Sequence, residues 1–217
     1  MNAIDQVELA ETCGIFAGDG TLYRTTRGFV LEVRGGLDEI DYYKTHIKYL
    51  FSKLFSSNLQ IIRRKYKGGH TVGIRKCGKV VFNLFHNDLG FPVGKKSNIV
   101  EIPSFITNSN SPNIWISYLR GVFDTDGCIY LNRNKKKTKF YTQPRIHFIS
   151  KSVKHLLQIR TLLVKLGFNS HIEKYNFKVT LGGWSTSERF FKIIKPANDR
   201  HNKRIKALIP KLFNMLR

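Results

Sequence analysis

The chain has 217 residues, of which 37 are Lys or Arg and 15 are Asp or Glu, so its formal charge is +22. The 41% hydrophobic content excludes wholesale disorder, and no apolar run approaches the ~20 residues that a membrane-spanning helix needs. The charge disfavours self-association, so we expect a monomer, and it indicates a polyanionic partner, with nucleic acid ahead of an anionic membrane surface.

The beginning of the chain and its cysteines indicate where the protein works. Residues 1–11 are acidic and lack the basic-then-apolar layout of a secretory signal. Three cysteines without a C-x-x-C pair argue against a disulfide framework and for a reducing compartment. We therefore expect an intracellular protein with no membrane association, without a more specific compartment being indicated.

A nine-residue pattern occurs twice, about half the chain apart. Residues 12–20 read TCGIFAGDG and residues 119–127 read LRGVFDTDG, and both fit x-x-G-[IV]-F-x-x-D-G. An internal repeat of this kind predicts two similar structural units. We place each motif at the C-terminal end of a helix.

The segments after each motif are also parallel. In the first half, alternation predicts one strand directly after Gly20 and, beyond a glycine-containing turn, a second strand over 29–34. Helical periodicity then predicts a helix over 38–55, which is followed by a hairpin of strands 59–67 and 71–76. In the second half they predict strands over 128–133 and 145–149, a helix over 152–166, and strands over 169–175 and 177–181. Each half therefore has the predicted order αββαββα.

These orders predict an α/β protein of the α+β type, with two pseudo-symmetric half-domains packed through the motif helices. We assign residues 1–97 to the N-terminal half-domain, 98–112 to a linker, and 113–217 to the C-terminal half-domain. The charge is unequal: residues 1–108 have 15 basic and 10 acidic residues, whereas residues 109–217 have 22 and 5. The second half therefore has most of the positive charge.

The motifs predict a helix–helix interface and a metal site. Gly14 and Gly18 share one helix face, as do Gly121 and Thr125, and small residues at this spacing let two helix backbones approach closely. Asp19 and Asp126 would then meet at the unfavourable C-terminal ends of both helices, where a divalent cation relieves their repulsion.

Magnesium is the predicted ion, with Mn²⁺ or Ca²⁺ as other occupants, and the backbone carbonyls of Gly18 and Thr125 are candidate extra ligands. Such a pair in a basic protein indicates metal-assisted phosphodiester hydrolysis. The alternative is that each Asp-Gly is a helix C-cap, with Gly20 and Gly127 in the left-handed region.

The two motifs and the order of elements resemble the LAGLIDADG homing endonucleases in their single-chain form with two motif copies. The resemblance implies that two curved antiparallel sheets cover the DNA major groove, while the acidic residues Asp19 and Asp126 bind metal and cleave both strands across the minor groove. Thr12, Arg120 and Ala17 depart from the usual motif. Asp124 corresponds to the noncatalytic acidic position, so we interpret it as a polar contact near the interface.

The resemblance also implies a lysine near the cleavage centre in each half. In the first half we assign this role to Lys96, with Lys95 as the second choice. The family pattern is matched there by Gly94-Lys95-Lys96-Ser97 and the Ile-Pro segment that follows. In the other half, His201-Asn202-Lys203-Arg204 fits the family pattern with one residue missing and assigns it to Lys203. A further polar residue on the second strand has possible equivalents in Glu32, His147 and Ser150.

The DNA-binding surface is predicted from strand alternation, because one face of a sheet packs on helices while the other remains open. Arginines there can read guanine edges, and lysine clusters mostly contact phosphates. The candidate DNA-binding residues are Tyr23, Arg24, Arg27, Arg34, Arg63, Arg64, Lys65, Lys67, Arg75, Lys76, Tyr130, Arg133, Lys135, Lys136, Lys137, Lys139, Arg145, His147, Lys174 and Lys178.

The favoured function is a site-specific, metal-dependent double-strand DNA endonuclease with a long, asymmetric target. Because the chain starts with Met and lacks splicing residues, we expect an intron-encoded protein. The alternatives are an RNA-binding maturase that assists its intron RNA and a basic structural RNA-binding protein. The intact acidic pair favours cleavage, and neither an RRM signature nor a KH loop is present.

Overall fold

The computed structural model describes residues 5–66, 69–136, 139–173, 175 and 177–216. In the first half, helix α1 leads directly into a hairpin, followed by a helical region and a second hairpin. The elements are α1 (Gln6–Asp19), β1 (Gly20–Thr25), β2 (Gly28–Gly36), α2 (Ile40–Tyr42), α3 (Lys48–Leu54), β3 (Ile61–Tyr66), β4 (Gly69–Cys77), α4 (Lys79–Asn83) and α5 (Ser104–Thr107).

The second half repeats this order and adds two helices at its end. Its elements are α6 (Pro112–Asp126), β5 (Gly127–Lys136), β6 (Lys139–Ile149), α7 (Val153–Lys165), β7 (His171–Glu173), β8 (Lys178–Gly182), α8 (Trp184–Ile194), α9 (Arg200–Leu208) and α10 (Pro210–Met215). Ser152 caps α7 as its sequence position suggests, because its hydroxyl accepts a hydrogen bond from the His155 N–H at 3.2 Å.

Each half contains one four-stranded antiparallel sheet, and the strand order is the same in both. The orders are β1-β2-β4-β3 and β5-β6-β8-β7. Gly20 pairs with Val33 in the first sheet, and Gly127 pairs with Phe148 in the second. The predicted fold class, two similar halves of α+β type, is confirmed.

The core of each half is built around the phenylalanine of its motif. The Phe16 ring lies 4.7 Å from that of Phe85 and 4.8 Å from that of Phe91, measured between centroids. Phe123 lies 5.0 Å from Phe190 and 5.5 Å from Phe148. Because aromatic side chains bury large apolar areas, these clusters fix the end of each motif helix against its own sheet.

The helix predicted over 38–55 differs from the structure. A 3₁₀ turn (Leu37–Glu39), α2, a π-helical turn (Tyr43–Ile47) and α3 follow one another. The neighbouring Tyr42 and Tyr43 are both buried, and a regular 3.6-residue period does not bring adjacent side chains to the same point. The π-helical turn begins at Tyr43, and such turns are frequent at functional sites.

The segment between the halves contacts both of them. The Gly94 N–H donates to the Leu22 carbonyl at 2.7 Å, and the Ile102 N–H donates to the Gln158 side-chain oxygen at 2.9 Å. The assigned boundaries of the linker stay a prediction. Within the part of the chain that the structure describes, no helix has the length and apolar character to cross a membrane.

Candidate active site and nucleic-acid interface

The two motif helices touch through backbone atoms at two glycines. A Cβ added at Gly14 would lie 2.2 Å from the Tyr118 carbonyl oxygen, and one added at Gly121 would lie 2.3 Å from the Glu11 carbonyl oxygen. A Cβ at Gly18 would lie 2.1 Å from the Thr125 hydroxyl oxygen. The four predicted interface residues are therefore brought together, and neither glycine at the centre of this seam has room for a side chain.

Each motif ends with a glycine beneath its own phenylalanine. A Cβ at Gly20 would lie 2.1 Å from the Phe16 ring, and one at Gly127 would lie 2.2 Å from the Phe123 ring. Both glycines are extended, with φ of −82° and −86°, so the alternative of a left-handed C-cap is wrong. The strand therefore starts directly after the aspartate, which holds the carboxylate at the junction between helix and sheet.

Asp19 and Asp126 lie together at the ends of the two helices. The Asp126 Oδ2 atom is 3.2 Å from the position that a Cβ on Gly18 would take. Burial raises the pKa of Asp19 to about 7; the Tyr43 hydrogen bond opposes this rise, and the negative charge of Asp126 adds to it. Loss of hydration also raises the pKa of Asp126, against the attraction of Lys96 and Arg200. The pair is thus costly to ionise without a cation.

Two basic side chains bind the carbonyls next to this pair. Lys96 Nζ donates to the Gly18 carbonyl at 2.7 Å, and the Arg200 guanidinium donates to the Thr125 carbonyl. Gly18 and Thr125 occupy the same motif position, so Lys96 and Arg200 have matching places in the two halves. Burial lowers the pKa of Lys96, although the nearby carboxylates Asp126 and Asp19 oppose this shift.

A buried network fixes Arg200 in its place. The Asp124 carboxylate is fully buried and accepts the N–H groups of Ala197 at 2.9 Å and Asn198 at 3.2 Å. The Asn198 side chain donates to Glu39 at 2.7 Å, and Arg200 pairs with the same Glu39 oxygen at 2.9 Å. Asp124 therefore anchors the loop that leads to Arg200, which is a more specific role than the predicted polar contact near the interface.

The predicted residue Lys203 lies elsewhere. Its ammonium group pairs with Asp199 at 3.3 Å, and 73% of its side chain is exposed. Arg200 has the position near the acidic pair instead. One turn of α9 separates the two residues, and the sequence match, which required a one-residue gap, pointed to Lys203 rather than to Arg200. The sequence shows that Arg200 is a basic residue close to Lys203, but it does not show the contact of Arg200 with the Thr125 carbonyl. That contact depends on the loop that Asp124 holds.

A family comparison covers the second half. Residues 115–194 match the model described as a LAGLIDADG-like domain. The second half of the chain is therefore similar to this domain family. The match starts inside α6 and contains the second motif, so the resemblance seen in the sequence is confirmed there. No curated protein sequence matches the chain.

Solved LAGLIDADG structures share the fold of the whole chain. The homing endonuclease I-LtrWI bound to target DNA has a TM-score of 0.62 at 12% identity, with 98% of this chain and 91% of that chain covered. Variants of the homing endonuclease I-DmoI give 0.58 at 17% identity, covering 88% and 98%. I-WcaI bound to its DNA recognition sequence gives 0.56 at 15%, covering 100% and 88%. The chain therefore has the two-domain LAGLIDADG fold.

The acidic pair of this LAGLIDADG fold has the donor chemistry that a hard divalent cation prefers. Among the described residues, no group of three or more His, Cys, Asp and Glu side chains is arranged around a metal position. An ion would therefore rely on the two carboxylates and on backbone oxygens. The Gly18 and Thr125 carbonyls already accept hydrogen bonds, but each carbonyl oxygen has a second lone pair. The donor set fits Mg²⁺, Mn²⁺ or Ca²⁺.

The register divides the predicted DNA-binding residues of the first sheet between its two faces. On the face away from the helices, Glu32 forms an ion pair with Arg34, lies 3.4 Å from Arg64, and accepts the Tyr23 hydroxyl at 3.3 Å. Arg75 is cross-strand from Glu32 and shares this face. This cluster is an ordered polar surface that sequence alternation alone does not reveal.

The other predicted residues of the first sheet alternate to the helix side or lie in turns. Lys76 donates to Ser57 at 2.8 Å, and Arg24 lies 5.7 Å from the centre of the Phe82 ring in α4. Arg63 and Lys65 are exposed but share the face of the buried Val72. These four side chains are therefore placed less well for base contacts than the Glu32 cluster. Arg27 is exposed in the β1–β2 turn.

The open face of the second sheet also has a core of polar side chains. Tyr130 pairs with Arg145 across β5 and β6, and its ring lies 4.8 Å from that of His147. Lys178 lies beside this group and pairs with Glu173 at 3.2 Å. Burial lowers the pKa of His147 to about 4, with further lowering by Lys178, so this imidazole is neutral at pH 7. Cross-strand pairing makes His147 the equivalent of Glu32.

Of the remaining predicted DNA-binding residues, Arg133 is described by the structure. Arg133 is exposed and alternates to the face opposite Tyr130. Lys135, Lys136 and Lys139 lie in β5 and β6, but their side chains lie outside the described residues. Three further predicted residues lie wholly outside the described residues: Lys67, Lys137 and Lys174.

Proposed function

We propose that the protein is a site-specific DNA endonuclease that hydrolyses phosphodiesters on both strands of a long, asymmetric target. The observation that carries the proposal is the meeting of Asp19 and Asp126 at the ends of two helices, between two sheets with polar open faces. The LAGLIDADG fold supports it, because I-LtrWI and I-WcaI have this fold and are bound to their target DNA. We further propose an intron-encoded, intracellular monomer that cuts across the minor groove.

The acidic pair would hold the catalytic metal. A divalent ion, when bound, supplies positive charge that polarises the phosphodiester and acidifies a nearby water. The use of such ions is supported by the structures of I-DmoI, which include complexes with DNA and Ca or Mn. Asp19 and Asp126 would keep this charge at the seam. Because the pKa of Asp19 is raised to about 7, metal binding should release a proton from this carboxyl near neutral pH.

Lys96 and Arg200 would supply fixed positive charge on either side of the pair. Both are already held by backbone carbonyls, so little reorganisation is required when a phosphate develops additional negative charge. Preorganised cations are most effective in such partly water-excluded sites. The lowered pKa of Lys96 also makes its ammonium group a better proton donor to the leaving oxygen.

The proposed function is tested by plasmid cleavage with and without metal. A supercoiled plasmid containing the uninterrupted insertion site of the gene should be linearised at one position in Mg²⁺. No cutting should occur in EDTA, and excess Mg²⁺ should restore it. Intact plasmid in Mg²⁺, or equal cutting in EDTA, would show that the protein is not a metal-dependent endonuclease. Binding of intron RNA without any DNA cleavage would instead identify a maturase.

The placement of Arg200 gives a prediction that separates it from Lys203. Arg200→Gln should slow plasmid cleavage by roughly 100-fold, because one preorganised stabilising group is lost. Lys203→Gln removes the same charge one helical turn away and should change the rate less than about threefold, within the effect of an exposed charge on binding. Single-turnover rates at saturating Mg²⁺ measure both. A larger defect in Lys203→Gln would restore the assignment made from sequence.

A further inference from the structure

The two motif carboxylates have unequal surroundings. The Tyr43 hydroxyl donates a hydrogen bond to Asp19 Oδ2 at 2.9 Å. Among the residues that the structure describes, no side chain donates a hydrogen bond to the Asp126 carboxylate, which has the charges of Lys96 and Arg200 nearby. The two halves of the fold therefore differ in the hydrogen bonding of their motif carboxylates.

The sequence builds this difference into the two sheets. Tyr43 is fully buried in the π-helical turn, and its hydroxyl lies 2.9 Å from the position of a Cβ added at Gly35. Gly35 therefore leaves the space that the phenol occupies. The equivalent position in the second sheet, counted from the pairs Gly20–Val33 and Gly127–Phe148, is Ser150.

Ser150 is engaged in a different network. Its hydroxyl lies 3.1 Å from His155 Nδ1 and accepts the Ser152 N–H at 3.2 Å. His155 Nε2 in turn lies 2.7 Å from the Tyr118 hydroxyl, within the core of the second half. No counterpart of the Tyr43–Asp19 hydrogen bond is therefore found in the second half as far as the structure describes it.

Hydrogen bonds from neighbouring groups orient the carboxylates that bind metals, and their loss typically lowers metal affinity or activity by about 10- to 100-fold. We propose that Tyr43 is a positioning residue that holds the Asp19 carboxylate for a divalent ion, so that cleavage of one DNA strand depends on Tyr43 and cleavage of the other does not. This inference rests on the proposed endonuclease function.

The test compares Tyr43→Phe with Tyr42→Phe. Tyr42 is the neighbouring residue, is also buried, and its hydroxyl makes only a 3.5 Å contact with Asp124. Both variants use the full chain and a duplex with the cleavage site found in the plasmid test, labelled separately on each strand. Tyr43→Phe should slow one strand by about 10- to 100-fold more than the other, so that nicked plasmid accumulates with the nick always on the same strand. Tyr42→Phe should keep the wild-type ratio of the two strand rates.

A second measurement is independent of cleavage. Mn²⁺ is titrated into the protein bound to a duplex with uncleavable linkages at both scissile positions, and free Mn²⁺ is followed by its electron paramagnetic resonance signal. Tyr43→Phe should raise the Mn²⁺ concentration required for half-saturation by about 10- to 100-fold for part of the bound metal. DNA binding in Ca²⁺ should match the wild type.

Several results would overturn the inference. Equal slowing of both strands, no slowing, an unchanged Mn²⁺ titration, or the same strand bias in Tyr42→Phe would each exclude a specific role for the phenol. If Tyr43→Phe unfolds or loses DNA binding, the hydroxyl is structural and the inference is also wrong. These outcomes are distinct from failure of the proposed function, because in that case the wild-type protein itself does not cut.

Discussion

Asp19→Asn and Asp126→Asn are each expected to lower the rate of linear product formation by at least ~1,000-fold. Loss of one preorganised stabilising group costs roughly 100- to 1,000-fold, and here the substitution also removes one of the two charges that would hold the metal. Asn keeps the shape of the side chain, so the seam between Gly14 and Gly121 should be unaffected. Single-turnover plasmid cleavage in Mg²⁺ measures the effect.

Asp41→Asn is the matched control, because Asp41 is exposed on the outer helical surface. It should cut at the wild-type rate and bind target DNA equally in Ca²⁺. Linear product at the wild-type rate from either Asp19→Asn or Asp126→Asn would remove that carboxylate from the mechanism. A defect in DNA binding as large as the defect in cleavage would instead indicate a structural role.

The Asp19→Asn variant also tests a pH dependence of stability that does not involve cleavage. The pKa of Asp19 is raised from its ordinary 3.8 to about 7 in the folded protein, so the folded state holds this proton more tightly than the unfolded state. Stability should therefore fall as pH rises from about 4 to above 7 in EDTA. Asp19→Asn should reduce this fall, and melting temperatures at pH 5 and pH 8 measure the difference.

Gly14→Ala and Gly121→Ala are expected to destabilise the protein by about 2 kcal/mol or more each. A Cβ would meet backbone atoms of the other helix at 2.2 to 2.3 Å, so the helices must separate. Because the Cβ meets backbone rather than a side chain that can rotate away, we take the upper end of the usual overpacking cost, about 3 kcal/mol or more. The gain in helix propensity from Gly to Ala, about 1 kcal/mol, offsets part of it.

Thermal unfolding should show the effect as a lowering of Tm by roughly 4–8 °C for a chain of this size. Thr161→Ala is the control, because Thr161 is exposed on α7 and the change should stay within about 0.5 kcal/mol. Unchanged or raised stability in both glycine variants would show that the helices are not in contact through these positions.

Local periodicity predicted most of the fold, because each half repeats the same order of amphipathic elements. The spacing of Gly14, Gly18, Gly121 and Thr125 was sufficient to predict the seam, since close helix contact has a sequence signature. The interruption of 38–55 by a π-helical turn had no such signature. Two adjacent tyrosines, Tyr42 and Tyr43, were visible, but their separate tertiary partners were not.

The candidate site was predictable only where the repeat identifies it. Asp19 and Asp126 occupy the same motif position, whereas Lys203 was selected by a gapped match and the contact of Arg200 with the Thr125 carbonyl was not predicted. Arg200 depends on a loop held by Asp124, which makes contacts 73 and 74 residues away in the chain. The hydrogen bond from Tyr43 to Asp19 was not predicted, because the Tyr43 hydroxyl occupies space that is open only since residue 35 is glycine. A contact of this kind between distant elements has no local sequence pattern.

The seam between Gly14 and Gly121 also limits how the chain can accept change. In an ordinary core contact, enlargement of one side chain can be relieved by a smaller residue opposite, and genetic suppressors arise in this way. At this seam both partners are already glycine and the opposing atoms belong to the backbone. No second-site suppressor is therefore available at the facing position, and a selection for revertants of Gly14→Ala should return glycine at residue 14.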